Sequence, residues 1–82
     1  MTKEIPREEI EKWLQKIEPI VETIDVFDSK GESMFTNMKA YIADCKHFLE
    51  KGDYMRSFEA VVWAWAIYEI CRDLGVFGEQ RT

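Results

Sequence analysis

The 82-residue sequence has little glycine, proline, cysteine and histidine, and each shortage removes a class of protein. Four glycines and two prolines leave few turn residues, which excludes a many-stranded β architecture. Two cysteines without C-x-x-C spacing are too few for a disulfide scaffold or a zinc site. One histidine and the absence of a glycine-rich phosphate loop remove the usual signs of a hydrolase or an NTPase.

Basic residues and long apolar runs are also scarce. The net charge is −5, and the eleven lysines and arginines are scattered, so we expect neither nucleic-acid binding nor an anionic membrane partner. The longest apolar run, residues 60–68, has nine residues, whereas a membrane span needs about 20. The N-terminus has no apolar run and therefore no signal peptide, which predicts a cytoplasmic protein.

What the sequence does contain is apolar material at helical spacing. Hydrophobic residues make up 46% of the chain, enough for the core of one domain spanning residues 1–82. Periodicity predicts three helices, at about residues 6–27, 32–51 and 53–75. Pro6 suits a first helical position, and Pro19 falls opposite the apolar stripe of helix 1, which predicts a bend rather than a break.

Two polar turns separate the predicted helices. In the first, Ser29 and Glu32 fit a capping box at the start of helix 2, and Ser33 is an alternative N-cap. In the second, Gly52 suits the left-handed conformation that closes a helix, and Asp53 suits the N-cap of helix 3. So short a connection makes helices 2 and 3 antiparallel neighbours.

Helix 3 is apolar on two flanks with a column of small residues between them. Such a helix is suited to packing against two neighbours at once. The sequence therefore predicts an all-α, antiparallel three-helix bundle with helix 3 central, followed by a frayed tail at residues 77–82. The small-residue column consists of Ser57, Ala60, Ala64 and Cys71.

Polar candidates for a site are Asp44, His47 and Glu69. Asp44, His47 and Glu50 follow one another at three-residue steps on helix 2, so neighbouring pairs could share a metal ion. We prefer the interpretation that they are solvated residues on the outer face, because one histidine without a second cluster makes a metal site improbable. Because helices 2 and 3 run antiparallel from the Gly52 turn, residues at equal distances from the turn lie level with each other. On this basis Asp44 and Glu69 are separated by roughly 12 Å along the helix axis, which is too far for a shared proton. We therefore expect no catalytic residues, no metal and no cofactor.

The two cysteines are also too far apart to be joined. The same geometry places Cys45 and Cys71 roughly 18 Å apart along the axis, which excludes an intramolecular disulfide. Both fall on predicted buried faces, so the pattern predicts two free cysteines that act as small apolar core residues.

The helix 2–helix 3 hairpin carries a resemblance to a known family. From Tyr41 the chain reads YIADCKHFLEKGDY and continues through Trp63-Ala64-Trp65 and Glu69 to a closing Leu-Gly pair. This segment resembles the archaeal domain of unknown function family 357, although Glu69, Ser57 and Ala66 depart from its usual Asp, Ala and Gly. The resemblance implies a helical bundle and an archaeal, cytoplasmic setting, and it implies no activity. The hairpin motif residues are read as structural: Tyr41, Asp44, Phe48, Gly52, Asp53 and Tyr54.

Three functions follow from these patterns as hypotheses. The first is a non-catalytic module that self-associates or docks a protein partner through Trp63, Ile67 and Ile70, because helix 3 has more apolar surface than two neighbours cover. The alternative is a small-ligand or metal-binding protein that uses carboxylates of helices 2 and 3. RNA association is a third, which the acidic composition disfavours.

Overall fold

A computed structural model describes residues 5–79 and confirms the all-α bundle. The helices are α1 (Arg7–Thr23), α2 (Ser29–Glu50) and α3 (Tyr54–Asp73). Two short strands, β1 (Ile24–Val26) and β2 (Phe77–Glu79), pair antiparallel with Val26 opposite Phe77. The α2–α3 hairpin is the main packing unit, and α3 also packs against α1, whereas α1 and α2 touch little. Helix α3 is therefore central, as predicted.

Helix α1 is shorter than predicted because the chain becomes extended at Ile24. The helix passes through Pro19 without a break, and the Thr23 hydroxyl donates to the Pro19 carbonyl at 3.2 Å near its end. Residues 24–26, which the periodicity assigned to helix 1, instead form β1. Ile24 and Val26 are β-branched, and pairing with β2 supplies the backbone hydrogen bonds that a continued helix would have made.

Helix α2 begins three residues earlier than predicted. The cap is Asp28, whose carboxylate accepts from the Gly31 N–H at 2.8 Å, so the predicted capping box of Ser29 and Glu32 is wrong by one residue. Gly31 is buried here, and a Cβ added to it would lie 2.9 Å from Val26 Cγ1. Glycine lets the start of α2 approach the strands this closely.

The α2–α3 turn has the predicted conformation. Gly52 has φ +79°, and its N–H donates to the Leu49 carbonyl at 3.1 Å. The Asp53 N–H donates to the Phe48 carbonyl at 2.9 Å, and the Asp53 side chain accepts from the Arg56 N–H. The turn is thus a Schellman motif that leads directly into an N-cap.

The core lies where the buried faces of the three helices meet. The small residues of α3 are buried as predicted, and Ser57 donates to the Cys45 carbonyl at 2.7 Å, which holds α2 and α3 close together. On the other side, Trp65 packs edge-to-face on Trp13 with ring centroids 5.8 Å apart and donates to its carbonyl. The buried apolar residues are Ile10, Leu14, Ile17, Met38, Ile42, Cys45, Leu49, Ala60, Val61, Ala64, Ile67, Tyr68, Cys71 and Phe77.

The segment after α3 returns to the bundle instead of fraying. Gly75, with φ +81°, ends α3 in a second Schellman turn, in which the Val76 N–H donates to the Cys71 carbonyl. Phe77 is 2% exposed and packs edge-to-face on Phe35, with centroids 6.0 Å apart. The predicted frayed tail is thus wrong for residues 77–79, and residues 80–82 lie outside the described part of the chain.

Candidate functional site

The surface predicted for interaction is only partly exposed. Trp63 and Ile70 are 56% and 55% exposed, whereas Ile67 is 8% exposed and belongs to the core. At 100° per residue, Ile67 is rotated about 40° from Trp63 around the helix, toward the bundle. The exposed surface therefore differs from the predicted one by the loss of Ile67.

Five large apolar side chains remain exposed along one side of α3 and its C-cap. Because successive members are seven, one, seven and four residues apart along the chain, starting from Met55, they all lie within one sector of the helix. We call this surface the α3 apolar face; it consists of Met55, Val62, Trp63, Ile70 and Leu74.

The charges beside the α3 apolar face are mostly acidic. Glu59, Glu69 and Asp73 are exposed on the same helix. Arg56 is also exposed, but its guanidinium lies 3.6 Å from the Asp53 carboxylate. Asp73 lies 3.6 Å from the Arg72 guanidinium, so within residues 5–79 the carboxylates of the face without an ion pair are those of Glu59 and Glu69. A surface that combines exposed apolar side chains with these two carboxylates suits a partner that is apolar and basic.

A groove of about 240 Å³ lies beside this face, between α2 and α3. Its α2 wall is formed by Tyr41, Asp44 and Phe48, and its α3 wall by residues near the start of that helix. The rings of Tyr41 and Trp63 are nearly parallel, 19° apart, with centroids 6.1 Å apart. We call this feature the hairpin groove; its α3 lining is Arg56, Glu59, Ala60 and Trp63.

The hairpin motif residues divide between the turn and the groove. Gly52 and Asp53 form the turn, and Tyr54 is the first residue of α3. The other three line the hairpin groove because spacings of three and four residues keep them on one side of α2; of these, the sequence named only Asp44 as a candidate site residue as well. These three are Tyr41, Asp44 and Phe48.

The structure does not assemble the predicted polar site. Asp44 lines the hairpin groove, while His47 and Glu69 are exposed residues that do not. His47 packs edge-to-face on Phe48, with ring centroids 5.4 Å apart. Across residues 5–79, no group of three or more histidine, cysteine, aspartate or glutamate side chains is placed to hold a metal ion.

Sequence reasoning missed two charged residues of the groove, Arg56 and Glu59. A signal for them was present, because reflection through the Gly52 turn brings Asp44 level with residues near position 60. The α3 carboxylate that lines the groove together with Asp44 is therefore that of Glu59, whereas Glu69 lies further along the helix.

Both cysteines are free and buried, as predicted. Burial raises the pKa of the Cys45 thiol, and the hydrogen bond with Ser57 offsets part of that rise. Burial alone raises the pKa of the Cys71 thiol. Neither thiol has the lowered pKa and access to solvent that a nucleophilic cysteine needs.

Fold and surface together define the class: a small helical-hairpin bundle with an exposed apolar face and an acidic, aromatic groove. In the described part of the chain, no helix combines the length and the apolarity needed to cross a membrane. The family described as "Protein of unknown function (DUF357)" matches residues 8–77, and the chain belongs to that family.

A crystal structure of a family member has the same fold. Protein AF1782 from the archaeon Archaeoglobus fulgidus is 46% identical, with a TM-score of 0.82. The match covers 90% of this chain and 92% of that one. None of the curated proteins matches this chain.

Proposed function

We propose that this protein is a non-catalytic interaction module whose α3 apolar face binds a helix of a protein partner. The supporting observation is the exposure of the face, where Met55 and Leu74 are 72% and 76% exposed. Single exposed apolar residues are ordinary, whereas a continuous row of large ones is typical of an interface.

The dimensions of the face favour a helix as the occupant. From Met55 to Leu74 the face runs for about 28 Å at 1.5 Å per residue, the length of five helical turns. An amphipathic partner helix of similar length, with apolar anchors at i, i+3, i+4 and i+7, would cover such an elongated strip.

The charges on the face favour a partner with basic flanks. Within residues 5–79, neither Glu59 nor Glu69 makes an ion pair. Lysine or arginine beside the apolar row of the partner would be attracted to these carboxylates and would speed association.

The same charges disfavour a second copy of this chain. The small side chain of Ala66 lies near the middle of the face, which suits a two-fold, antiparallel crossing of two α3 helices at that residue. Such a crossing places Glu59 opposite Asp73 of the second copy, and two facing carboxylates repel, although the ion pair of Asp73 with Arg72 offsets part of the repulsion.

The test uses a photo-crosslinking amino acid at position 74 in the full chain, which is added to a lysate of the organism that encodes it. We expect crosslinks to one partner, within an amphipathic helix that has lysine or arginine flanks. The same residue at position 40, an exposed alanine on α2, provides the background.

Variants then test whether the α3 apolar face is responsible. Ile70→Glu should reduce capture at least tenfold, and Ala40→Glu, which introduces the same charge on α2, should leave it unchanged. Equal capture by both variants would contradict the proposal. If sedimentation shows a dimer that Ile70→Glu dissociates, the occupant of the face is a second copy of this chain and not the helix of a partner.

A further inference from the structure

The hairpin groove is a second feature that the interaction proposal alone does not use. It is concave, and it has an aromatic wall, carboxylates from both helices and an arginine. Each of these groups has a chemical preference, and together they select one kind of occupant.

The carboxylates leave the groove negatively charged. Asp44 on α2 and Glu59 on α3 make no ion pair within residues 5–79. Arg56 also lines the groove, but its guanidinium pairs with Asp53, so it offsets at most one of the two charges and the groove keeps a net negative charge. The groove therefore attracts a cation.

The aromatic wall favours a planar cation. Trp63 and Tyr41 stack on each other, and the Trp63 side chain is 56% exposed, so an arginine guanidinium can stack on its open face through cation–π attraction. A guanidinium can also donate two parallel hydrogen bonds to a carboxylate, which an ammonium group cannot do in one plane.

One side of the groove already holds a guanidinium between an aromatic ring and a carboxylate. The Arg56 guanidinium lies 5.8 Å from the centre of the Phe48 ring and 3.6 Å from the Asp53 carboxylate. The Trp63–Tyr41 wall offers the same combination of ring and carboxylate, with Asp44 and Glu59 in the role of Asp53.

We infer that the hairpin groove binds the guanidinium of one arginine side chain of the partner, against Trp63 and between Asp44 and Glu59. This inference rests on the proposed function, because Trp63 belongs both to the α3 apolar face and to the groove. A basic flank of a helix docked on the face would lie next to the groove.

The experiment needs no partner and uses the full chain. The protein is titrated with Nα-acetyl-arginine amide and, as control, with the citrulline analogue, which has the same length and no charge. The signal is the indole N–H resonance of Trp63, assigned with Trp63→Phe; the Trp13 and Trp65 indoles donate to Glu9 and to the Trp13 carbonyl.

We expect the arginine amide to bind with a Kd of about 1 mM at low salt and the citrulline amide not to bind. Asp44→Asn with Glu59→Gln should weaken binding at least about fivefold. Glu69→Gln with Asp73→Asn, which removes two carboxylates elsewhere on α3, should leave the Kd unchanged. An unchanged Trp63 signal, equal binding of citrulline, or equal loss in both double variants would overturn the inference.

The two proposals fail separately. Ile70→Glu should abolish partner capture and leave binding of the arginine amide intact, because Ile70 does not line the groove. If capture depends on Ile70 while the arginine amide does not bind, the groove inference is wrong and the interaction function stands. Binding of the amide without any capture through the face would leave a groove that binds a guanidinium, and it would overturn both the interaction function and the assignment of that guanidinium to a partner helix.

Discussion

At the scale of single residues, the closest link between α2 and α3 is the contact of Ser57 with Cys45. The Ser57 hydroxyl donates to the Cys45 carbonyl and lies 3.3 Å from its sulfur, and both residues are 0% exposed. A buried hydroxyl with a partner costs little, and a small side chain at each position lets the helix backbones approach. The pair therefore fixes the register of the hairpin without any charged group.

The buried thiols predict how stability changes at alkaline pH. The folded pKa of Cys71 is raised above its unfolded value, so its contribution to stability is complete below the unfolded pKa, about 8.5 to 9. As the pH rises above that value, the thiol ionises first in the unfolded chain, so the contribution to stability falls progressively. The loss is complete once the pH exceeds the folded pKa. The slope per thiol is at most about 1.4 kcal/mol per pH unit.

Urea unfolding of the reduced protein at pH 7.5, 8.5 and 9.5 measures this slope, and Cys71→Ala is the comparison. We expect the free energy of unfolding to fall less steeply above pH 8.5 in the variant than in the natural chain. Parallel pH profiles would show that the Cys71 thiol does not ionise differently on folding.

Exposure of single residues was the least predictable feature. A helical wheel of α3 shows two apolar flanks, and it does not say which of them the other helices cover. Ile67 and Trp63 lie on the same predicted flank, yet Ile67 is buried and Trp63 exposed. Glu59 was missed as a groove residue because the hairpin groove depends on side chains from two helices, whereas periodicity describes one helix at a time.

At the scale of elements, both ends of the α3 helix are set by glycine turns. Gly52 precedes α3 and Gly75 follows it, each with positive φ and with no atom within 4 Å of an added Cβ. The cost of any other residue there comes from the backbone alone, because nothing would be displaced.

Gly52→Ala should therefore lower the free energy of unfolding by about 1–2 kcal/mol, the strain of a left-handed alanine. Gly52→Asn should cost less, because asparagine tolerates this conformation better. Lys51→Ala, at the exposed preceding residue with φ −84°, is the matched control and should change little. Thermal or urea unfolding measures all three. Equal stability of Gly52→Ala and Lys51→Ala would contradict the assigned role of the turn.

The helices were predictable and the strands were not. The apolar stripes of α1 and α2 and the signal at Gly52 and Asp53 all agreed, so three helices and their order followed from the sequence. Strands β1 and β2 have three residues each, too few to show alternation. Ile24 also continues the apolar stripe of helix 1, which hid the end of that helix.

At the scale of the whole molecule, the chain segment after α3 completes the core. Phe77 brings β2 onto the bundle, where it meets Phe35 of α2, and β2 pairs with the strand that follows α1. The segment that contains β2 thus contacts both β1, which precedes the first turn, and α2, which follows it.

Phe77→Ala should lower the free energy of unfolding by about 3–5 kcal/mol, because it leaves a cavity in the core. Phe27→Ala removes the same side chain from a site that is 63% exposed and should cost much less. Urea unfolding followed by circular dichroism compares them. If both variants lose the same stability, Phe77 is not part of the core as described.

The pairing of β1 with β2 has a consequence for the order of folding. The α2–α3 hairpin closes across a turn of about three residues, whereas Val26 and Phe77 lie about 50 residues apart. Loop-closure entropy makes closure of the β1–β2 pair costlier than closure of the hairpin by about 2.5 kcal/mol. The hairpin should therefore form first and the strands should pair last. Loss of the Phe77 side chain would then appear mainly as faster unfolding, with the folding rate nearly preserved.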